Sequence, residues 1–239
     1  MRGGLRNRVV SVAAGVLAAS GVIAVALALA AQEHAPQPPL SAAGSPGPTT
    51  VSAGAPVLAP SPPISPGTTP ISPVPTTVFV GVPVLSPSPP LAIDIPAIGV
   101  QSELQYLGLT AQQTLEVPVP GPHYDHAAWY KYSSTPGSVG PAVILGHVDS
   151  VTGGPSVFFN LGALQPGDEV LVTRADGLVA VFSVDKVARY PKEQFPTLLV
   201  YGNTDHAALR LITCGGDYDR ATGSYLDNII VFASLVGSR

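Results

Sequence analysis

The chain has 239 residues, with 11 Lys and Arg against 15 Asp and Glu and a formal net charge of −4. It has no basic stretch beyond the N-terminus, which argues against a nucleic-acid partner. A single cysteine, Cys214, excludes an intramolecular disulfide and a cysteine-rich zinc site, and no metal or cofactor is expected.

The elements follow in chain order. Arg2, Arg6 and Arg8 precede a run from Val9 to Ala31 of almost wholly Val, Ala, Leu, Ile and Gly, broken by Ser11 and Ser20. A run of that length crosses the hydrocarbon core, and the arginines hold the N-terminus in the cytoplasm. Ala28-Leu29-Ala30 also fits a cleavage site, but the run is longer than a typical signal, so an uncleaved signal anchor is expected over residues 1–31. That places the rest of the chain outside the cell membrane, as a single-pass protein.

From Gln32 to Pro90, Pro, Ser, Thr, Gly and Ala dominate, and no charged residue lies between His34 and Asp94. Stretches such as Ala59-Pro60-Ser61-Pro62-Pro63 favour extended polyproline conformation, and the segment is too poor in apolar surface to fold alone. Residues 32–90 are therefore expected to be a disordered, semi-rigid spacer, dispensable for folding. Val78-Phe79-Val80-Gly81-Val82 is the one apolar patch in it that would pack on a domain.

Residues 91–239 read as a strand-rich domain. Strands are expected at Ala92–Pro96, Leu115–Val119, Glu169–Arg174, Leu178–Val184, Ala208–Thr213 and Asn228–Val236, with an apolar run at Ala142–Leu145. Asp176-Gly177 between two such runs is a hairpin signal. One short helical turn is expected within Phe158–Leu164, ended by Pro166-Gly167. Many short strands with Gly and Pro punctuation predict an all-β fold, and a closed barrel protects the edges of the long hairpin.

Two strand ends carry chemistry. Cys214 ends the run Ala208–Thr213 and is followed by Gly215-Gly216; His147 stands in Gly146-His147-Val148-Asp149 after the Ala142–Leu145 run. A thiol attacks an amide carbonyl as thiolate, and a nearby imidazolium stabilises that anion and protonates the leaving amine. The two residues lie far apart in sequence, so the fold must bring them together. The glycines let the chain turn after the thiol and let a substrate backbone approach.

The run Leu211-Ile212-Thr213-Cys214 resembles the cysteine-strand signature of sortases, with Arg210 in place of the usual first threonine. Ile95-Pro96-Ala97-Ile98-Gly99-Val100, Trp129-Tyr130, Pro136-Gly137, Gly146–Ser150, Cys214-Gly215-Gly216 and Tyr225-Leu226-Asp227-Asn228 are together similar to class F sortases of high-GC Gram-positive bacteria. The resemblance implies an eight-stranded sortase barrel and a cysteine transpeptidase working through a thioester. It implies surface proteins bearing a Leu-Pro-x-Thr-Gly-like C-terminal sorting signal as substrates, and an amine of a peptidoglycan precursor as acceptor. A thiol peptidase that releases product to water and a non-enzymatic wall-binding β module are the alternatives.

Sortases also use an arginine on or just before the strand after the cysteine. Here the arginines after Cys214 are Arg220 and Arg239, and Asn228 occupies the usual place on the last strand. Arg220, in the Asp217–Gly223 loop, is expected to fold back over the thiol, with Asn228 as the neutral alternative. Arg210 shares strand parity with Cys214 but lies on the order of 13 Å away. His123, Asp125 and His126 read as a surface loop rather than a metal site; His126 is a weaker rival to His147. Asp149 is placed either to orient His147 or to start a turn. Trp129 and Tyr130 read as core.

Overall fold

The computed structural model describes residues 34–41 and 84–239. The predicted membrane span at 9–31 and the patch at Val78–Val82 lie outside the described residues. Among the described residues no helix is long and apolar enough to cross a membrane.

Eight strands close into a barrel in the order β1-β2-β3-β4-β7-β8-β6-β5. They are β1 (Pro90–Ile95), β2 (Val100–Leu107), β3 (Ala127–Tyr130), β4 (Gly140–Leu145), β5 (Glu169–Arg174), β6 (Val179–Pro191), β7 (Ala207–Asp219) and β8 (Ser224–Ser238). β2 and β3, and β4 and β7, pair in parallel; the other neighbours are antiparallel. Closure leaves no strand edge open along the ring, as the hairpin reading expected. The described residues add one α-helix, α1 (Thr197–Tyr201), and three short 3-10 turns, one of them at Leu161–Ala163 inside the predicted helical turn.

The central strands are buried on both faces, which explains why β4 reads as a continuous apolar run. Inward residues Leu209 and Leu211 of β7 join Phe158, Phe182 and Val231 in the barrel interior. The opposite parity of β7 faces outward. There Ile212 packs with Val143 and Leu145 of β4, Ile230 and Phe232 of β8, and Val200 and Phe195 of the β6–β7 connection. Cys214 shares this second parity, so the barrel presents its thiol on the outer face.

Several elements depart from the sequence reading. Leu115–Val119 is not a strand; one bridge, Leu109 to Leu115, is all that forms, because Pro118 and Pro120 donate no ladder hydrogen bond. β2, with polar Gln101, Ser102, Glu103 and Gln105, was not anticipated, since its apolar alternation is weak. The Asp217–Gly223 segment is mostly hairpin rather than loop. β7 continues to Asp219 and pairs Tyr218 with Tyr225 and Asp219 with Ser224 after a register shift. Gly216, at φ 75°, makes that shift; a side chain there would also collide with the Asp227 carboxylate.

The spacer is ordered against the barrel at both described ends. Pro38 is buried, Ser41 N–H donates to the Arg189 carbonyl at 2.7 Å, and Gly216 N–H donates to Gln37 Oε1 at 2.8 Å. Gly162 lies under the Pro36 carbonyl and Pro38. These contacts take backbone donors and acceptors left outside the ladders, which a polyproline-like strand supplies without a core of its own. The ordered domain also begins before Leu91. Fully buried Arg174 donates to the Pro136 carbonyl, to the Ser86 carbonyl at 2.6 Å and to Asp176 at 2.6 Å. Asp176 N–H donates to Ser88 Oγ at 3.1 Å, and Ala175 N–H to the Pro89 carbonyl at 2.9 Å. A protein starting at residue 91 removes the Ser86 acceptor from a buried guanidinium. We expect it to be less stable than one starting at residue 84 by about 2–4 kcal/mol, on the order of 10 °C in Tm, in thermal melts followed by circular dichroism. Equal melts would show that Ser86–Pro90 contribute nothing to the domain.

Candidate active site

The histidine segment is tied to the cysteine strand by backbone. Gly146 N–H donates to the Ile212 carbonyl at 3.1 Å, two residues before Cys214. A Cβ at position 146 would lie 2.6 Å from Val157 Cγ1 and 2.8 Å from Phe158 Cδ2, so only glycine lets the chain leave β4 there. Beyond it the chain folds back on itself. Phe158 N–H bonds the His147 carbonyl at 3.0 Å, Ser156 N–H the Val148 carbonyl at 2.9 Å, and Ser150 N–H the Gly154 carbonyl at 3.0 Å. Asp125, from the β2–β3 connection, accepts from Ser150 Oγ at 2.9 Å and Ser156 Oγ at 2.7 Å.

His147 is half-buried. Its Nε2 lies 2.8 Å from the carbonyl of buried Pro118, and its ring stacks on Tyr124 with centroids 4.1 Å apart and planes 8° apart. Burial pushes the Tyr124 hydroxyl above its ordinary pKa, and negative charge at Asp125, Asp149 and Cys214 adds to the rise. Burial likewise raises Tyr225, with its hydrogen bond to Asp149 and the charges of Asp149 and Cys214 adding to it. Both phenols thus lie within electrostatic reach of the thiol, and one of them covers His147. The β4–β7 register pairs Leu145 with Ile212, so His147 and Cys214 each stand two residues beyond that pair, at the same end of the ladder joining two neighbouring strands. Asp149 does not hold the His147 ring: its carboxylate accepts the Tyr225 hydroxyl, and the ring is held by a backbone carbonyl instead.

Cys214 is a free, half-buried thiol. Its partner across the β7–β8 ladder is Asn228, which also pairs with Tyr190 of β6. Directly opposed residues have Cβ atoms about 5 Å apart on one face, so Asn228 stands beside the thiol. Arg220 lies further along the same hairpin. It follows Asp219 in an exposed tip where Ala221 N–H and Thr222 Oγ1 donate to the Asp219 carboxylate at 2.8 and 2.9 Å. Six positions of extended hairpin separate it from Cys214, on the order of 15–20 Å. It lines a cleft with Asp149, Gly154, Tyr218 and Tyr225. Arg210, at 6% exposure, places its guanidinium 4.8 Å over the Phe232 ring and donates to the Leu209 carbonyl at 3.0 Å. That packing holds it away from the thiol.

The His123 and His126 rings meet edge to face at 4.9 Å, while Asp125 is committed to the two serines. No group of three metal-ligating side chains occurs among the described residues. Trp129 is buried in the interior, 5.4 Å from Tyr106. Tyr130 instead lines an outer cavity of about 500 Å³ with Leu109, Leu115, Tyr132, Val143 and Tyr201. Sequence reasoning missed Pro118, Tyr124 and Tyr225 as neighbours of the site. Tyr124 lay inside the noted Pro122–His126 cluster and Tyr225 inside the noted Tyr225–Asn228 motif, but neither carries a local signal of what it touches.

The sortase-domain family matches residues 93–236, more than half of the chain. The chain belongs to the sortase family, and it is an enzyme of the cysteine transpeptidase class. Among solved structures it is similar to a sortase D5 transpeptidase of Clostridium perfringens, at 25% identity and a TM-score of 0.44, over 61% of this chain and 78% of that one. It is similar to sortase A of Listeria monocytogenes at 15% identity and a TM-score of 0.47, over 62% and 87%. A sortase of Actinomyces oris aligns at 20% identity and a TM-score of 0.45, over 63% and 81%. No curated protein matches the chain.

Proposed function

We propose that the chain is a class F sortase, held in the cell membrane through residues 9–31, that cleaves a Leu-Pro-x-Thr-Gly-like C-terminal sorting signal after Thr and joins the new terminus to a peptidoglycan-precursor amine. What supports the reading is the parallel pairing of β4 with β7, which sets His147 and the single thiol beyond the same end of the ladder joining two neighbouring strands, with Asn228 opposite the thiol on β8. Cys214 Sγ adds to the Thr carbonyl. The oxyanion takes a hydrogen bond from the Asn228 amide, a neutral donor in the place where the family uses a guanidinium. The C–N bond breaks and the leaving amine takes a proton from His147, leaving a thioester. The acceptor amine then attacks the thioester, gives its proton to His147, and Cys214 leaves as thiolate. The aromatic cavity at Tyr130 and Tyr201 lies on the same outer side of the barrel and suits the apolar residue of the signal.

The test is the fate of the acyl group. Full-length protein given a Leu-Pro-Ala-Thr-Gly peptide should produce, on adding a primary-amine acceptor, an amide of that amine at the Thr carbonyl. Free Thr carboxylate alone, unchanged by any amine, would make the chain a peptidase.

A further inference from the structure

We propose that the β2–β3 connection is a cradle that fixes the His147 ring, that Nδ1 rather than Nε2 is the nitrogen that exchanges protons in the reaction, and that Tyr124 is the positioning residue of this cradle. The proposal rests on His147 being the acid–base partner of Cys214. A carbonyl oxygen only accepts, so the nitrogen 2.8 Å from it must carry the hydrogen: His147 Nε2–H donates to Pro118. In the neutral ring the lone pair is then on Nδ1. When the ring is protonated, the added proton sits on Nδ1, and Nε2–H remains on the carbonyl as a charge-assisted hydrogen bond that stabilises the imidazolium. The proton delivered to the leaving amine, and the one later taken from the acceptor, both pass through Nδ1. The Pro118 carbonyl does for this ring what a carboxylate does in a Cys–His–Asp arrangement. Asp149, the nearest carboxylate in sequence, is occupied by Tyr225.

The carbonyl is not adventitious, because its segment is pinned. Glu116 N–H bonds the Gly108 carbonyl at 3.0 Å while the Glu116 carboxylate accepts Gly108 N–H at 2.7 Å, and Leu109 bridges Leu115. On the far side of the loop, Gln105 Nε2 holds the His123 carbonyl at 2.7 Å, and Tyr124 N–H bonds the Gly121 carbonyl at 3.2 Å. From that backbone the Tyr124 ring lies parallel to the imidazole. A parallel ring at 4.1 Å opposes the χ2 rotation that would carry Nε2 away from the Pro118 carbonyl. The stack needs the ring and not the hydroxyl.

The experiment measures thioester formation by the full-length protein with a sorting peptide. Replacing His147 by Nδ1-methylhistidine blocks Nδ1 and leaves Nε2 as the one ring nitrogen able to take up or release a proton. It should lower acylation about 100-fold or more, to the level of His147→Ala. Tyr124→Phe should stay within about threefold of the parent, whereas Tyr124→Leu should lose about 10- to 100-fold in kcat with little change in KM. Melts of each variant separate loss of fold from loss of positioning, and the methylhistidine protein carries the test if Tyr124→Leu does not fold. Activity of the Nδ1-methyl protein well above His147→Ala would overturn the proposal, as would a Tyr124→Leu enzyme equal to Tyr124→Phe. An active His147→Ala would instead overturn the acid–base assignment beneath it, and the proposal with it.

Discussion

Cys214→Ala is expected to abolish both cleavage and transfer of a sorting peptide while leaving the melting curve unchanged. The thiol is half-buried on the outer face of the barrel, outside the interior core packed around Leu209, Leu211 and Phe182. Removing one sulfur there opens no interior cavity, so the stability cost stays small, well below the ~2–5 kcal/mol of a large core truncation. The chemical cost is total, because the chain has no second cysteine to form the thioester. Turnover of Cys214→Ala within tenfold of the parent would remove the nucleophile assignment; a collapsed melt would show that the residue is structural.

The second large effect separates two candidates for the oxyanion donor. Asn228→Ala is expected to lower turnover about 100- to 1000-fold, the usual cost of one such donor. Arg220→Ala is expected to stay within about tenfold. Asn228 is the cross-strand partner of Cys214, whereas Arg220 sits at the exposed hairpin tip among the bonds that Asp219 makes to its own turn. Asn228→Asp keeps the size but replaces a donor by an anion beside the developing negative charge, and should be at least as impaired as Asn228→Ala. The reverse result, with Arg220→Ala inactive and Asn228→Ala near normal, would return the role to Arg220 and require the hairpin to curl over the thiol during the reaction.

The barrel was legible where burial on two faces writes long apolar runs, as in β4 and β7, and where Asp176-Gly177 joins β5 to β6. The positions of Cys214 and His147 were legible because each stands at the end of such a run beside glycine. β2 was not, since only a few of its residues reach the interior and its alternation is diluted by exposed Gln and Glu. The reach of the hairpin to Asp219 was missed because a glycine pair reads as a loop, while here Gly216 serves a bulge that lets pairing resume. The order at 34–41 and 84–90 was hidden for a related reason. Proline-rich chain has no core of its own, yet it fills grooves on one already formed, as Pro38 does, and feeds carbonyls to a buried arginine, as Ser86 does. The His147 cradle is a matter of a backbone carbonyl and a ring brought in from the β2–β3 connection, and no local pattern encodes that meeting.

The most direct measurement is the intact mass of the full-length protein after mixing with a Leu-Pro-Ala-Thr-Gly peptide in the absence of acceptor. The account predicts an adduct of the mass of the peptide through Thr, absent from Cys214→Ala and discharged on adding an amine. Peptide cleavage that proceeds undiminished in Cys214→Ala, or an adduct that survives that substitution, would contradict it.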